Sequence, residues 1–136
     1  MILIDLNVIL DVVQRRKPHY RASAAVLDEV VSERVSATLP AHAVTTLHYL
    51  VSRYNNRRAA DKVVDWLLRY FAVAETGKSD FIRAMGLSWQ DYEDAVVAIA
   101  ADVRGCSCIV TRNVKDFTGS PVPALTPEEF LLTQTR

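Results

Sequence analysis

The sequence predicts an α/β fold in three layers, with helices on both faces of a central, mostly parallel sheet. Three observations carry that prediction. Short apolar runs alternate along the chain with longer stretches of helical periodicity, the order that builds a parallel sheet with crossover helices. Most of the short runs are apolar throughout, as strands covered on both faces must be. The length of 136 residues, half of them apolar and 24% charged, suits one ordinary globular domain spanning 1–136.

The elements follow in order. Met1 to Ile4 is the first strand, ended by Asp5. Val8, Leu10, Val12 and Val13 carry a helix from Asn7 to about Arg16, and Pro18 stops it. Pro18 also opens the next helix, whose apolar positions run from Ala22 to Val31. Val35 to Leu39 is a short strand. Pro40 then starts a helix through Val44, Leu47, Leu50 and Val51 to Tyr54, and Arg57 to Phe71 repeats the pattern. Ala72 to Glu75 is a weak strand and Ser79 to Met85 a short helix closed by Gly86. Ser88 reads as the cap of the next helix, with Asp91 completing a capping box. The body of that helix, Ala95 to Ala101, is apolar on every face, so it is predicted to be buried. Cys108 to Val110 is a strand ending at Thr111, Asn113 to Phe117 a helical turn, and Thr126-Pro127-Glu128-Glu129 a clean helix start.

Composition narrows the function. Sixteen basic residues balance sixteen acidic ones, which argues against a general nucleic-acid coat. Cys106 and Cys108 have no His partners nearby and read as small core hydrophobes. No leader peptide is visible and no run approaches the ~20 apolar residues of a membrane span. A cytoplasmic protein is expected.

Sites in open parallel sheets form beyond the carboxyl ends of the strands. Asp5 lies there after the first strand, and Thr111, Asn113 and Asp116 follow the end of a late one. Asp94 stands just before seven apolar residues, with no Lys or Arg one turn away to neutralise it. Simple capping is an alternative for Asp5, and it accounts fully for Asp91; Asp116 can pair with Asn113 in the same way. Gathered together, the acids say more. Two carboxylates about 4 Å apart repel by roughly 4 kcal/mol at an effective dielectric near 20. A cation among them relieves that repulsion, and all-oxygen ligands select Mg²⁺ or Mn²⁺. Such an ion suits phosphodiester hydrolysis. Beside this rim, Arg15, Arg112 and Lys115 are candidate contacts to the phosphates of an anionic polymer, although alone they read as solvated surface.

At this point the sequence resembles a known family. The stretch Ile4 to Asp11 resembles the opening D-x-N-x-x-x-D motif of PIN-domain nucleases. Asp94 to Ala101 is similar to their D-x-x-x-A-x-A helix, and Val110 to Phe117 to their T-x-N-x-x-D-F segment. The three motifs occur in family order over essentially the whole chain, and the small size looks like a VapC-type toxin. The resemblance implies a Mg²⁺-dependent endoribonuclease leaving a 5′-phosphate and a 3′-hydroxyl, usually a homodimer, held inactive by a small antitoxin. It implies that Asp5, Asp94 and Asp116 are the catalytic acids, with Asn7, Thr111 and Asn113 as polar support.

One departure stands out. Thr46 occupies the position where the family usually has a Glu, and no acid occurs between Glu33 and Asp61. Asp91 is the expected compensating ligand beside Asp5 and Asp94, with Thr46 as a further polar support. His42 and His48 read as ordinary interior or surface groups. The departure also leaves open a PIN fold that grips RNA or a protein without cutting it. A phosphatase with Asp5 as nucleophile is disfavoured, because Asn7 stands where a second acid is wanted. A receiver-type signalling domain is disfavoured because a single Asp ends the first strand.

Overall fold

The computed structural model describes residues 1–134. Strands β1 (Ile2–Ile4), β2 (Ala37–Pro40), β3 (Ala72–Ala74), β4 (Ile109–Val110) and β5 (Ala124–Leu125) form one sheet in the order β3-β2-β1-β4-β5. All four pairings are parallel. The helices are α1 (Leu6–Val13), α2 (Tyr20–Val31), α3 (Ala41–Tyr54), α4 (Arg57–Tyr70), α5 (Lys78–Met85), α6 (Tyr92–Val103) and α7 (Pro127–Thr133), with a 3₁₀ turn at Val114–Phe117.

Alternate residues of a strand point to opposite faces, and the core divides accordingly. Ile2 and Ile4 pack with Val8, Leu47, Leu67 and Phe130 on one face of the sheet. Leu3 and Ile109 pack with Val97, Ala98 and Ala101 of α6 on the other. The predicted three layers are therefore present, and the sheet is wholly rather than mostly parallel. Cys106 and Cys108 are free, buried thiols, as a core role requires, and burial pushes both thiols up. No helix among the described residues is long and apolar enough to cross a membrane.

Several boundaries differ from the sequence reading. Helix α1 stops at Val13 rather than Arg16, because Arg15 turns to a positive φ of 50°. Ser88 has φ 56° and does not cap α6. The cap is Asp91, in extended conformation, whose side chain accepts from the Asp94 N–H. Strand β5 went unforeseen. It holds only two half-buried residues just after Pro121 and Pro123, too short a run to show a period.

Register fixes the working edge. Leu3 pairs with Ile109 and Ile4 with Val110, so Asp5 and Thr111 emerge side by side one step later. A buried ion pair fastens the same edge from below. Asp11 on α1 is fully buried, and its carboxylate lies 2.7 Å from the Arg112 Nε. Ser23 of α2 donates to the same carboxylate at 3.1 Å. The Asp11→Ala variant leaves the half-buried Arg112 guanidinium and the Ser23 hydroxyl without their partner and is expected to lose about 2–3 kcal/mol of stability in urea unfolding. The Asp11→Leu/Arg112→Met double variant should recover much of that loss. A single variant within ~1 kcal/mol of wild type would show that the pair is not structural.

Candidate active site

Asp5 is the best-anchored carboxylate on the rim. Its Oδ1 accepts from the Leu6 backbone N–H at 2.8 Å. Its Oδ2 accepts from the Thr111 hydroxyl at 2.8 Å and from the Asn7 amide at 3.3 Å. Asn7 also donates to Thr111 Oγ1 at 3.2 Å, and its Oδ1 accepts from the Arg112 backbone N–H at 3.2 Å. The Asn113 N–H closes the network on Thr111 Oγ1 at 3.1 Å. Asn7 and Thr111 are thus both bonded to Asp5 and to each other. Asn113 takes part through its backbone, while its side chain is not a cap. Burial raises the carboxyl of Asp5 above its ordinary range, against the lowering effect of the Thr111 and Leu6 bonds.

Asp94 lies half-buried in the first turn of α6. Its carboxyl is pushed up to about 7, first by loss of solvent and then by the negative charges of Asp91, Asp5 and Asp116. Three acids, from three segments of the chain, therefore act on Asp94. Among the described residues, no three acid, histidine or cysteine groups already close around a single ion. The donor set fits a hard divalent cation by charge and by its all-oxygen chemistry. Asp91 and Asp116 are exposed and line a cavity of about 640 Å³ with Trp89, Gln90, Tyr92 and Thr118. One Asp91 oxygen is engaged as the α6 cap, so the residue serves both the helix and the field around Asp94.

Two residues belong beside the site that the sequence reading left out. His42, at the start of α3, and Glu93, next to Asp94, both act on the charge of Asp5. Their side chains approach each other at 3.4 Å. The signal for His42 was its place two residues past the end of β2, on the same rim as Asp5. Thr46 itself is half-buried one turn further along α3, and among the described residues it makes no side-chain hydrogen bond to the acids.

The expected RNA contacts separate. Lys115 is exposed on the 3₁₀ turn beside Asp116. Arg112 turns inward to Asp11, which corrects its reading as a free phosphate contact: a buried carboxylate holds the guanidinium. Arg15 is exposed past the far end of α1, which leads away from the Asp5 rim.

The raised Asp94 carboxyl sets a pH dependence. The folded protein keeps that proton up to about pH 7, whereas the unfolded chain releases it near 3.8. In that window the folded state holds the extra proton, so stability falls as pH rises through it. In chelator, thermal melts across the window should show a smaller decline for Asp94→Asn than for wild type. The variant should also melt higher above pH 7. An identical pH profile for the two proteins would contradict the crowding of charge.

The PIN domain family profile matches residues 1–115. No curated protein matches the sequence. The structure is similar to that of VapBC-1 from nontypeable Haemophilus influenzae, with a TM-score of 0.73 at 15% identity over 94% of this chain and 99% of that one. VapBC2 from Rickettsia felis, bound to a promoter DNA fragment, gives 0.71 at 16% identity over 93% and 98%. Mycobacterium tuberculosis VapC20, described as a sarcin–ricin loop cleaving toxin, gives 0.69 at 12% identity over 90% and 96%. With the profile covering most of its length and three ordered acidic segments meeting at one sheet edge, the chain belongs to the PIN domain family.

Proposed function

We propose that the protein is a metal-dependent endoribonuclease and the toxin of a toxin–antitoxin pair. The observation that carries this reading is the gathering of Asp5, Asp91 and Asp116 around Asp94, whose charges add to its burial in raising its carboxyl to about 7. The solved structures it resembles include toxin–antitoxin complexes and an RNA-loop cleaving toxin, which supports the same assignment. On this reading the partners are an RNA substrate, a small antitoxin and a second copy of the chain, and the protein works in the cytoplasm.

Mg²⁺ or Mn²⁺ is the proposed cofactor, with Asp5, Asp94 and Asp91 as its ligands and Asp116 completing the acidic site. A bound ion of this kind supplies Lewis acidity and a water acidic enough to attack at neutral pH. The protein's own groups do the rest. Thr111, Asn7 and the Leu6 N–H hold Asp5 in one orientation before substrate arrives, so little reorganisation remains at the moment of reaction. Asp94 holds a proton that a cation between these carboxylates would favour releasing, leaving it free to serve as a ligand. Lys115 lies where a phosphate could be met beside Asp116. Without a cation the same rim repels a phosphodiester, so substrate binding and metal loading are coupled.

A second reading has one observation in its favour. Thr46 supplies no carboxylate, and among the described residues no three ligand groups close on one point, as in a PIN fold that binds RNA without cutting it. Cleavage of single-stranded RNA with Mn²⁺ separates the two. Wild type should cut and lose activity in chelator. The Asp94→Asn and Asp5→Asn variants should lose more than the roughly 10–100-fold that changes to outer supporting residues cost. Equal cleavage by wild type and Asp94→Asn would remove the mechanism. RNA binding without any cleavage would favour the second reading.

A further inference from the structure

Next to the acidic rim lies a second cavity, of about 210 Å³, that the hydrolytic site does not use. Its walls come from three places: Pro40 and His42 where β2 runs into α3, Phe81 on α5, and Tyr92, Glu93 and Val96 on α6. The faces are apolar and aromatic, and the polar edge is the His42–Glu93 pair. The cavity is held open by its own bonding, because the Tyr92 hydroxyl donates to the Phe81 carbonyl at 2.7 Å and ties α6 to α5. Phe81 and Tyr92 remain 44% and 43% exposed, so their rings are reachable.

Its position decides what could fill it. His42 and Glu93 both act on Asp5, so the cavity adjoins the first acid. Tyr92 is shared with the larger cavity that holds Asp91 and Asp116. A strand lying across Asp94 would therefore reach both. We propose that the cavity binds one unstacked nucleobase of the RNA next to the scissile phosphate, and so sets the nucleotide preference of cleavage. This rests on the ribonuclease reading above and adds a specificity site to it.

The chemistry favours a base over an apolar side chain from a protein. A base offers a flat face to Phe81 and Tyr92, and stacking of that kind is the usual way proteins hold single-stranded bases. Its edge carries donors and acceptors that can satisfy Glu93 and His42. A leucine or phenylalanine in the same place could fill the apolar faces but could not bond the His42–Glu93 edge. The volume is also below the roughly 300–1,000 Å³ of pockets that take drug-sized ligands, in keeping with one ring system.

The test uses the full chain and has two arms. Adenosine, guanosine, cytidine and uridine, which carry no phosphate, are titrated into metal-free protein and followed by amide chemical shifts. One or more should saturate, with shifts at Phe81, Tyr92 and Val96. In the second arm, Mn²⁺-dependent cleavage is measured on RNAs differing at single positions around the cut. Wild type should prefer one base by about tenfold, the scale of one hydrogen bond to the base edge at the His42–Glu93 pair. Val96→Phe, which fills the cavity, should flatten that preference while retaining cleavage. Phe81→Ala should weaken it and keep the same circular dichroism.

No shifts with any nucleoside, together with an unchanged preference in Val96→Phe, would overturn the proposal. If wild type still cleaves in that case, the ribonuclease reading stands without it. Nucleoside binding in a protein that cuts no RNA would support the pocket and sink the hydrolytic reading instead. A change of oligomeric state in Val96→Phe, with an unchanged base preference, would assign the cavity to a protein contact and overturn the base.

Discussion

Like charges crowded at one edge of a parallel sheet are the constraint on which the rest depends. Asp5 is brought there by the register of β1 against β4, a pairing between strands more than a hundred residues apart in the chain. The same register delivers Thr111 to its side, and the hydroxyl of Thr111 bonds it directly. Asp94 and Asp116 arrive from other segments and raise one another's energy. Isolated from solvent, such an assembly opposes folding. Asp94, half removed from solvent, bears most of that cost, and a cation of the kind proposed above would relieve it.

The structure spreads the burden of that crowding. Asp11 is the most deeply buried acid of the opening motif, yet it is neutralised by Arg112 and does not join the rim. This pair fastens the segment carrying Thr111 and Asn113, while Asn7 spans from Asp5 to the Arg112 backbone. The motif D-x-N-x-x-x-D therefore does two jobs. Its first acid faces the chemistry, its asparagine couples the two strand ends, and its second acid anchors the loop from within.

The fold was largely legible because its signals are local. Apolar runs on β1, β2 and β4 and an all-apolar α6 demand a sheet with two covered faces, and that is what forms. The acids on the rim were legible because the carboxyl ends of parallel strands are known in advance. What escaped depended on tertiary contact. Nothing near Arg112 in sequence reveals that its partner is a buried acid on α1. Ser88 satisfied a capping pattern that its backbone, at φ 56°, does not allow, and Asp91 took the cap instead. His42 and Glu93 meet only because the start of α3 and the start of α6 share the rim. Both act electrostatically on Asp5, His42 lowering its carboxyl and Glu93 raising it.

The most direct measurement of the central claim is a crystal grown with Mn²⁺ and read by anomalous scattering. The account predicts a single strong peak, or a close pair, bounded by the carboxylates of Asp5 and Asp94, with Asp91 or Asp116 contributing. A fully loaded crystal with no peak at that edge, or with the ion bound elsewhere and these acids apart, would contradict it.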